Sequence, residues 1–229
     1  MAKKKSKSRK QQPSMGLIIG VAVVLVAVLI GAQQWWNHRQ FQNSIRAASY
    51  YEQFPTEGTR IGRADAPVQV VEYFDFQCPH CQTASDRIVK PLIEQYVAEG
   101  SVAFTYRFFP ILGPESVLAA QGAYCAMEMG MFWPYQDYLF AKKGLGNRGT
   151  YSRNNLIAYA REVGLDANAF AECLESDRAV QYVRAAHDQA VRLGLIGTPT
   201  FFVNGQPVSL SSWEDMFRVV EQALAAAGR

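Results

Sequence analysis

Two cysteines stand two residues apart in "FQCPHC", Cys78 and Cys81, at the end of a run of apolar residues. Such a pair can hold a metal, staple a loop or exchange electrons as thiols and disulfide. Structural zinc requires four ligands, normally a second cysteine pair or two histidines at short spacing. The remaining candidates are Cys125, Cys173, His38, His80 and His187, and no two of them have that spacing. A structural disulfide across two intervening residues would constrain the unfolded chain very little. Redox chemistry accounts for each residue in turn. Cys78 ends a predicted strand and begins a predicted helix, so its sulfur faces unpaired amides and the positive end of the helix dipole. Both favour thiolate over thiol. Pro79 is preformed for the first helical position. A partly cationic His80 would add to the stabilisation of the thiolate, and Cys81 is placed to resolve a mixed disulfide.

The segments around the pair are those needed to position it. "PVQVVEYFDF", Pro67–Phe76, is short, β-branched and nearly continuously apolar, the pattern of a strand covered on both faces. Glu72 interrupts it. If its side chain turns inward, the unpaired carboxylate is costly and its pKa rises; if it turns outward, it is an ordinary solvated residue. After Cys81, Ile88, Leu92, Ile93, Tyr96 and Val97 form one helical face, with Pro91 as an expected kink. "SVAFTYRFFP" reads as a second strand. Residues from about 113 to 194 contain helical patterns and no convincing strand. "TPTFFVNGQPVSL" reads as a hairpin turning at Asn204-Gly205, followed by an amphipathic helix that closes the chain. The order predicts an α/β sheet domain interrupted by an all-helical insert.

Charge is distributed unevenly. Six of the 23 basic residues lie within the first ten positions, and the remaining 17 are outnumbered by 20 acidic ones. A mildly acidic body argues against a nucleic-acid surface. Residues 15–32, "MGLIIGVAVVLVAVLIGA", carry no charge, and as a helix would extend ~27 Å, close to the hydrocarbon core of a bilayer. Trp35 and Trp36 follow where an interface belongs, and the preceding lysines predict a cytoplasmic N-terminus. The expected organisation is a basic cytoplasmic tail (1–14), a single transmembrane signal anchor (15–32), a juxtamembrane linker or helix (33–57) and an extracytoplasmic domain (58–229). A cleaved signal peptide is the competing reading of the apolar run. Phe41, Ile45 and Ala48 recur at helical spacing, which would suit either a stalk or self-association.

"VVEYFDFQCPHC" together with Gly197-Thr198-Pro199-Thr200 resembles the DsbA-type thiol–disulfide oxidoreductases of bacterial envelopes, and more closely their thioredoxin_4 branch with its BdbD-like members. The resemblance runs from about Ile61 to Ala226. It implies a thioredoxin fold with an inserted helical domain, catalysis by Cys78 and Cys81 with Pro79 and His80 between them, and no cofactor or metal. It also implies that Pro199 is cis, that the Thr198 backbone pairs with an incoming peptide, and that Glu72 is the buried acid serving proton transfer at the inner cysteine. Implied partners are reduced or unfolded exported proteins and a quinone-linked membrane enzyme, DsbB-like or similar to vitamin K epoxide reductase.

Cys125 and Cys173 both fall in predicted helices of the insert. An even cysteine count in an exported chain favours a bridge between them, and some relatives carry one; two buried thiols or a second redox pair are the alternatives. A bridge closing 48 residues would contribute ~4 kcal/mol. His187 shares a predicted face with Val180, Val183 and Val191, so a packed core histidine is expected. His38 has no expected chemistry. For the direction of electron flow, Pro79 and His80 favour disulfide donation, whereas Thr198 also occurs in reductase and isomerase members of the superfamily. A non-catalytic chaperone-like module is the reading from another class.

Overall fold

The computed structural model describes residues 24–35 and 49–228. It divides into two units, Met1–Gln42 and Asn43–Arg229. Within the first, the described residues form a helix over 24–35 with Val24, Leu25, Val28 and Leu29 exposed. No helix among the described residues is long and apolar enough to cross a membrane. Much of the expected 15–32 span, together with His38, Phe41, Ile45 and Ala48 of the expected linker, lies outside the described residues.

The second unit is built on a six-stranded sheet. Strands β1 (Thr56–Glu57), β2 (Arg60–Ile61), β3 (Val68–Phe74), β4 (Val102–Phe108), β5 (Thr200–Val203) and β6 (Gln206–Val208) are ordered β1-β2-β4-β3-β5-β6. Only β3 and β4 pair in parallel, with Glu72 opposite Tyr106; β5 lies antiparallel on the other side of β3, with Phe201 opposite Glu72. The parallel pair needs a crossover, and residues 79–97 supply it. This stretch is α-helical at Pro79–Ala84 and Lys90–Leu92 and π-helical at Ser85–Val89 and Ile93–Val97. Pro91 therefore sits inside a continuous helix flanked by wider turns, not at a break.

Helices α2 (Pro114–Glu128), α3 (Phe132–Lys142), α4 (Arg153–Glu162), α5 (Ala167–Glu175) and α6 (Asp177–Arg192) follow β4 and precede β5; here α1 denotes residues 79–97. The chain closes with α7 (Asp215–Ala226). This is a thioredoxin-like α/β fold carrying a helical insertion. A disulfide joins Cys125 of α2 to Cys173 of α5, with Cα atoms 5.7 Å apart.

Strand alternation assigns the two faces of the sheet. Val68, Val70, Glu72 and Phe74 share one face with Phe104, Tyr106 and Phe108, and all are essentially inaccessible. Rings interlock there: Phe74 lies 4.5 Å from Tyr106, and Tyr106 5.5 Å from Trp133 of α3. Each such side chain contributes roughly 1.5–3 kcal/mol by burial. The opposite face holds a smaller cluster of Tyr73, Phe109 and Ala190, with α6 lying over it. The buried residues of α6 are Ala179 and Val183, which join the main core, and Ala190, which joins the small cluster. This corrects the expected placement of His187. It is partly exposed, with Val180 46% and Val191 53% exposed, and its ring lies 5.5 Å from Phe109 at the margin of the small cluster.

The end of the expected 33–57 linker packs on this unit. Tyr51 is buried and donates to Asp137 at 2.6 Å, while Thr56-Glu57 opens the β1–β2 hairpin.

Candidate active site

The end of β3 delivers Cys78 to the start of α1. Cys78 is the N-cap of that helix and its own sulfur performs the capping: the Cys81 amide donates to Sγ at 3.4 Å. Pro79 occupies the first helical position, where a missing amide proton costs nothing. Both cysteines are free thiols. The Cys78 thiol donates to the Thr198 carbonyl at 3.2 Å, and the Thr198–Pro199 bond is cis. The loop Gly197-Thr198-Pro199 is thus brought against the sulfur from a position 120 residues further along the chain.

The two sulfurs are electrostatically unlike. Cys78 is lowered from 9.0 to about 6, chiefly by a hydrogen bond from the Cys81 thiol, with further help from the Thr198 side chain and the amides of Cys81 and His80; burial acts in the opposite direction. Cys81 is fully buried, and its pKa is raised by desolvation first and then by its neighbours Cys78 and Glu72. The His80 side chain is exposed, and it is the backbone amide of His80 that faces the sulfur.

Glu72 turns inward. It is completely buried, neither carboxylate oxygen has a hydrogen-bond partner, and desolvation, then the Cys78 charge, raises its pKa well above the ordinary value.

A second set of residues around the pair carries little signal in the sequence. Asp75, also buried, accepts hydrogen bonds from the amides of Gln77, Ile111 and Leu112 at 2.8, 2.8 and 2.9 Å and from the Ser116 hydroxyl at 2.7 Å. Gln77, directly before Cys78, exchanges two hydrogen bonds with Asn147: the Asn147 amide donates to Gln77 Oε1 at 2.9 Å and Gln77 Nε2 to Asn147 Oδ1 at 3.1 Å. Asn147 adopts a left-handed conformation with φ 54°. A side chain at Gly113, φ 121°, would come within 2.4 Å of the Asn147 amide group. The Glu115 carboxylate receives the amides of Gly149 and Tyr151, and the Tyr151 hydroxyl donates to the carbonyls of Phe76 and Leu139. The insert thereby grips Asp75, Phe76 and Gln77 in succession. The one hint in the sequence is an asparagine between glycines in "GLGNRGT", residues 144–150.

Apolar side chains stand on the segments attached to the site. Ile196 is 98% exposed beside the cis-proline loop, and Ile111, Leu112 and Leu145 are 37%, 43% and 49% exposed. Among the described residues, no three His, Cys, Asp or Glu side chains gather as a metal would require. Cys125 and Cys173 are joined to each other in the insert.

The Thioredoxin_4 family, described as thioredoxin, matches residues 55–222. The chain belongs to this family. Its relatives include a protein named probable disulfide bond formation protein D of Bacillus anthracis, 28% identical over 87% of this chain and 90% of that one. A putative protein-disulfide oxidoreductase of Rickettsia typhi is 27% identical over 72% of this chain and 61% of that one. The Na(+)/H(+) antiporter NhaA 3 of Salinispora tropica is 36% identical over 63% of this chain, which spans only 21% of that protein's length. Among solved structures, oxidised BdbD from Bacillus subtilis has a TM-score of 0.68 at 23% identity, covering 73% of this chain and 93% of that one, a likeness of fold. A thioredoxin-like oxidoreductase from Silicibacter pomeroyi has a TM-score of 0.60 at 28% identity, covering 77% and 95%.

Proposed function

We propose that this Thioredoxin_4 member is a membrane-anchored thiol–disulfide oxidoreductase that donates its Cys78–Cys81 disulfide to reduced exported proteins. The observation that carries the direction is the difference between the two sulfurs. Cys78, held at about 6, is the better leaving group, and a stabilised Cys78 thiolate favours the reduced protein over its disulfide. A couple that favours its reduced form is an oxidant.

In the forward reaction a substrate thiolate attacks Cys78 Sγ, forming a mixed disulfide, and Cys81 leaves with the electron pair. A second substrate thiolate then attacks its own sulfur in that mixed disulfide and expels Cys78 as thiolate. The substrate has lost two electrons and the protein has become a dithiol. Thr198 and cis-Pro199 hold the substrate chain beside Cys78 by backbone pairing, while Ile196, Ile111, Leu112 and Leu145 suit apolar stretches exposed in unfolded chains. Return to the disulfide requires an oxidising membrane partner of the quinone-linked class. The second reading draws on Thr198 before the cis-proline: reduction runs the same steps in reverse, whereas isomerisation has the Cys78 thiolate attack a substrate disulfide and leave again when another substrate thiolate closes a new one, with no net electron transfer.

The basic run 1–14 and the apolar run 15–32 support an uncleaved anchor with the domain outside the cytoplasm. Protease accessibility of the domain in intact cells tests that topology.

The activity is tested by refolding a reduced, disulfide-containing substrate with the oxidised full chain in detergent. Wild type should restore substrate disulfides, and the Cys78→Ser variant should not. A chaperone-like module would instead suppress aggregation equally well with both active cysteines replaced by serine, and that result would refute the enzyme reading.

A further inference from the structure

Glu72 and Tyr106 stand side by side on the central parallel strands and point to the same face of the sheet. Both are 0% exposed. Around them are rings: Phe74 at 4.5 Å, Phe104 at 4.8 Å and Trp133 at 5.5 Å from the Tyr106 ring. Neither carboxylate oxygen of Glu72 has a hydrogen-bond partner, and neither does the Tyr106 hydroxyl. Two polar heads on adjacent strands are therefore lodged together in an apolar layer, and phenylalanine at position 106 would fill the same space without the penalty of an unpaired hydroxyl. The hydroxyl calls for a chemical explanation.

The groups facing this pair are few. Cys78 and Cys81 face Glu72 from the start of α1. The Ser85 hydroxyl lies beside that of Tyr106, and behind Tyr106 stand Tyr51 and Asp137, the latter 3.9 Å from Lys90. From β5 the in-register neighbour of Glu72 is Phe201, which brings no charge.

We propose that Tyr106 is a positioning residue for Glu72, its hydroxyl turning to donate to the carboxylate whenever Glu72 has given up its proton. The inference rests on the thiol-exchange reading and adds a residue to it. During disulfide donation Cys81 leaves Cys78 with an electron pair and takes the Glu72 proton, so Glu72 becomes a carboxylate in a place with no solvent. During reoxidation Cys78 is joined to the partner's sulfur; Cys81 returns its proton to Glu72 and attacks Cys78, and the partner's thiolate leaves. Glu72 is thus charged when Cys81 has just taken its proton, and must be charged again to receive that proton on reoxidation. Tyr106 is the donor on the adjacent strand able to meet that charge.

The test isolates one step with the full chain in detergent: resolution of a Cys78–glutathione mixed disulfide, followed by release of glutathione as a function of pH. In wild type the rate should rise with pH through the titration of Glu72. Tyr106→Phe removes a donor to the charged form, so the rise should move up by about one pH unit, making resolution about tenfold slower on the rising limb. In a Glu72→Gln background the rise attributed to Glu72 should be gone and Tyr106→Phe should change nothing further. The proposal is overturned if the Tyr106→Phe profile superposes on wild type, or if it shifts equally with Glu72 replaced, as a packing role would produce. Should Tyr106→Phe fail to fold, fluorotyrosine at 106, a stronger donor, serves instead and should move the rise to lower pH; no movement counts against the proposal. Exchange activity that survives Cys78→Ser would instead sink the parent reading.

Discussion

Glu72 and Asp75 lie three residues apart, one within β3 and one just beyond its end, and both are carboxylates removed from water. Asp75 accepts four hydrogen bonds, three from backbone amides and one from Ser116. Glu72 accepts none. The difference follows from where each residue falls. Beyond the strand, the backbone of residues 77, 111 and 112 is turning, and its amides are available to a side chain. Within the central strand of a sheet the amides on both sides are committed to the ladders, so an inward side chain can be met only by other side chains. The consequence is a division of labour. Asp75 fixes the loop that presents Cys78, and Glu72 is left with a raised proton affinity next to Cys81.

The comparison can be broken most severely at Asp75. Asp75→Ala leaves four donors without an acceptor, and a loss of about 3–4 kcal/mol is expected in denaturant unfolding. A loss below about 1 kcal/mol would mean that the clamp is slack. Asn147→Ala removes the side-chain oxygen that accepts from Gln77 Nε2 and the Glu115 amide, keeps the backbone bond to Gln77 Oε1, and should cost about 1–2 kcal/mol, with a smaller loss of exchange rate as Cys78 shifts from Thr198. Glu72→Gln should behave in the opposite sense. A carboxyl whose folded pKa is raised adds stability below its ordinary value, near ~4.3, and that stability is lost as pH rises through the raised folded value. The variant should therefore match wild type or gain about 1 kcal/mol at neutral pH, with a flatter pH dependence of unfolding. Destabilisation by Glu72→Gln at neutral pH would contradict the contrast.

A subtler check uses Cys78, whose shift has the other sign. In the reduced protein its thiolate contributes stability that is fully present above the ordinary thiol value of 9.0 and is lost as pH falls through about 6. Ultraviolet thiolate absorbance of the reduced chain should titrate near that lower value; a midpoint near 9.0 would remove the basis for a stabilised leaving group.

Much of this arrangement is legible in the sequence because local rules govern it. The β-branched run ending in Cys-Pro-His-Cys reads as strand and helix start, and Asn204-Gly205 takes positive φ at both positions, as the tight hairpin requires. Glu72 announces itself as a charge in an apolar run. What stayed hidden depends on partners distant in sequence. Gln77 and Asn147 are ordinary polar residues 70 positions apart, and their role exists only once the insert folds over the loop. Thr56–Glu57 and Arg60–Ile61 are strands of two residues each, too short to show a period. Of the valines that mark a face with His187, Val183 is buried but Val180 and Val191 are exposed, because the packed face of α6 runs through Ala179, Val183 and Ala190.

The direction of electron flow is the claim on which the proposed function turns, and the reduction potential of the Cys78–Cys81 couple tests it most directly. Equilibration of the full chain with glutathione buffers should give a value near the ~−120 mV of a strong disulfide donor. A value near the ~−270 mV of thioredoxin would contradict the account and assign the chain to the reducing side.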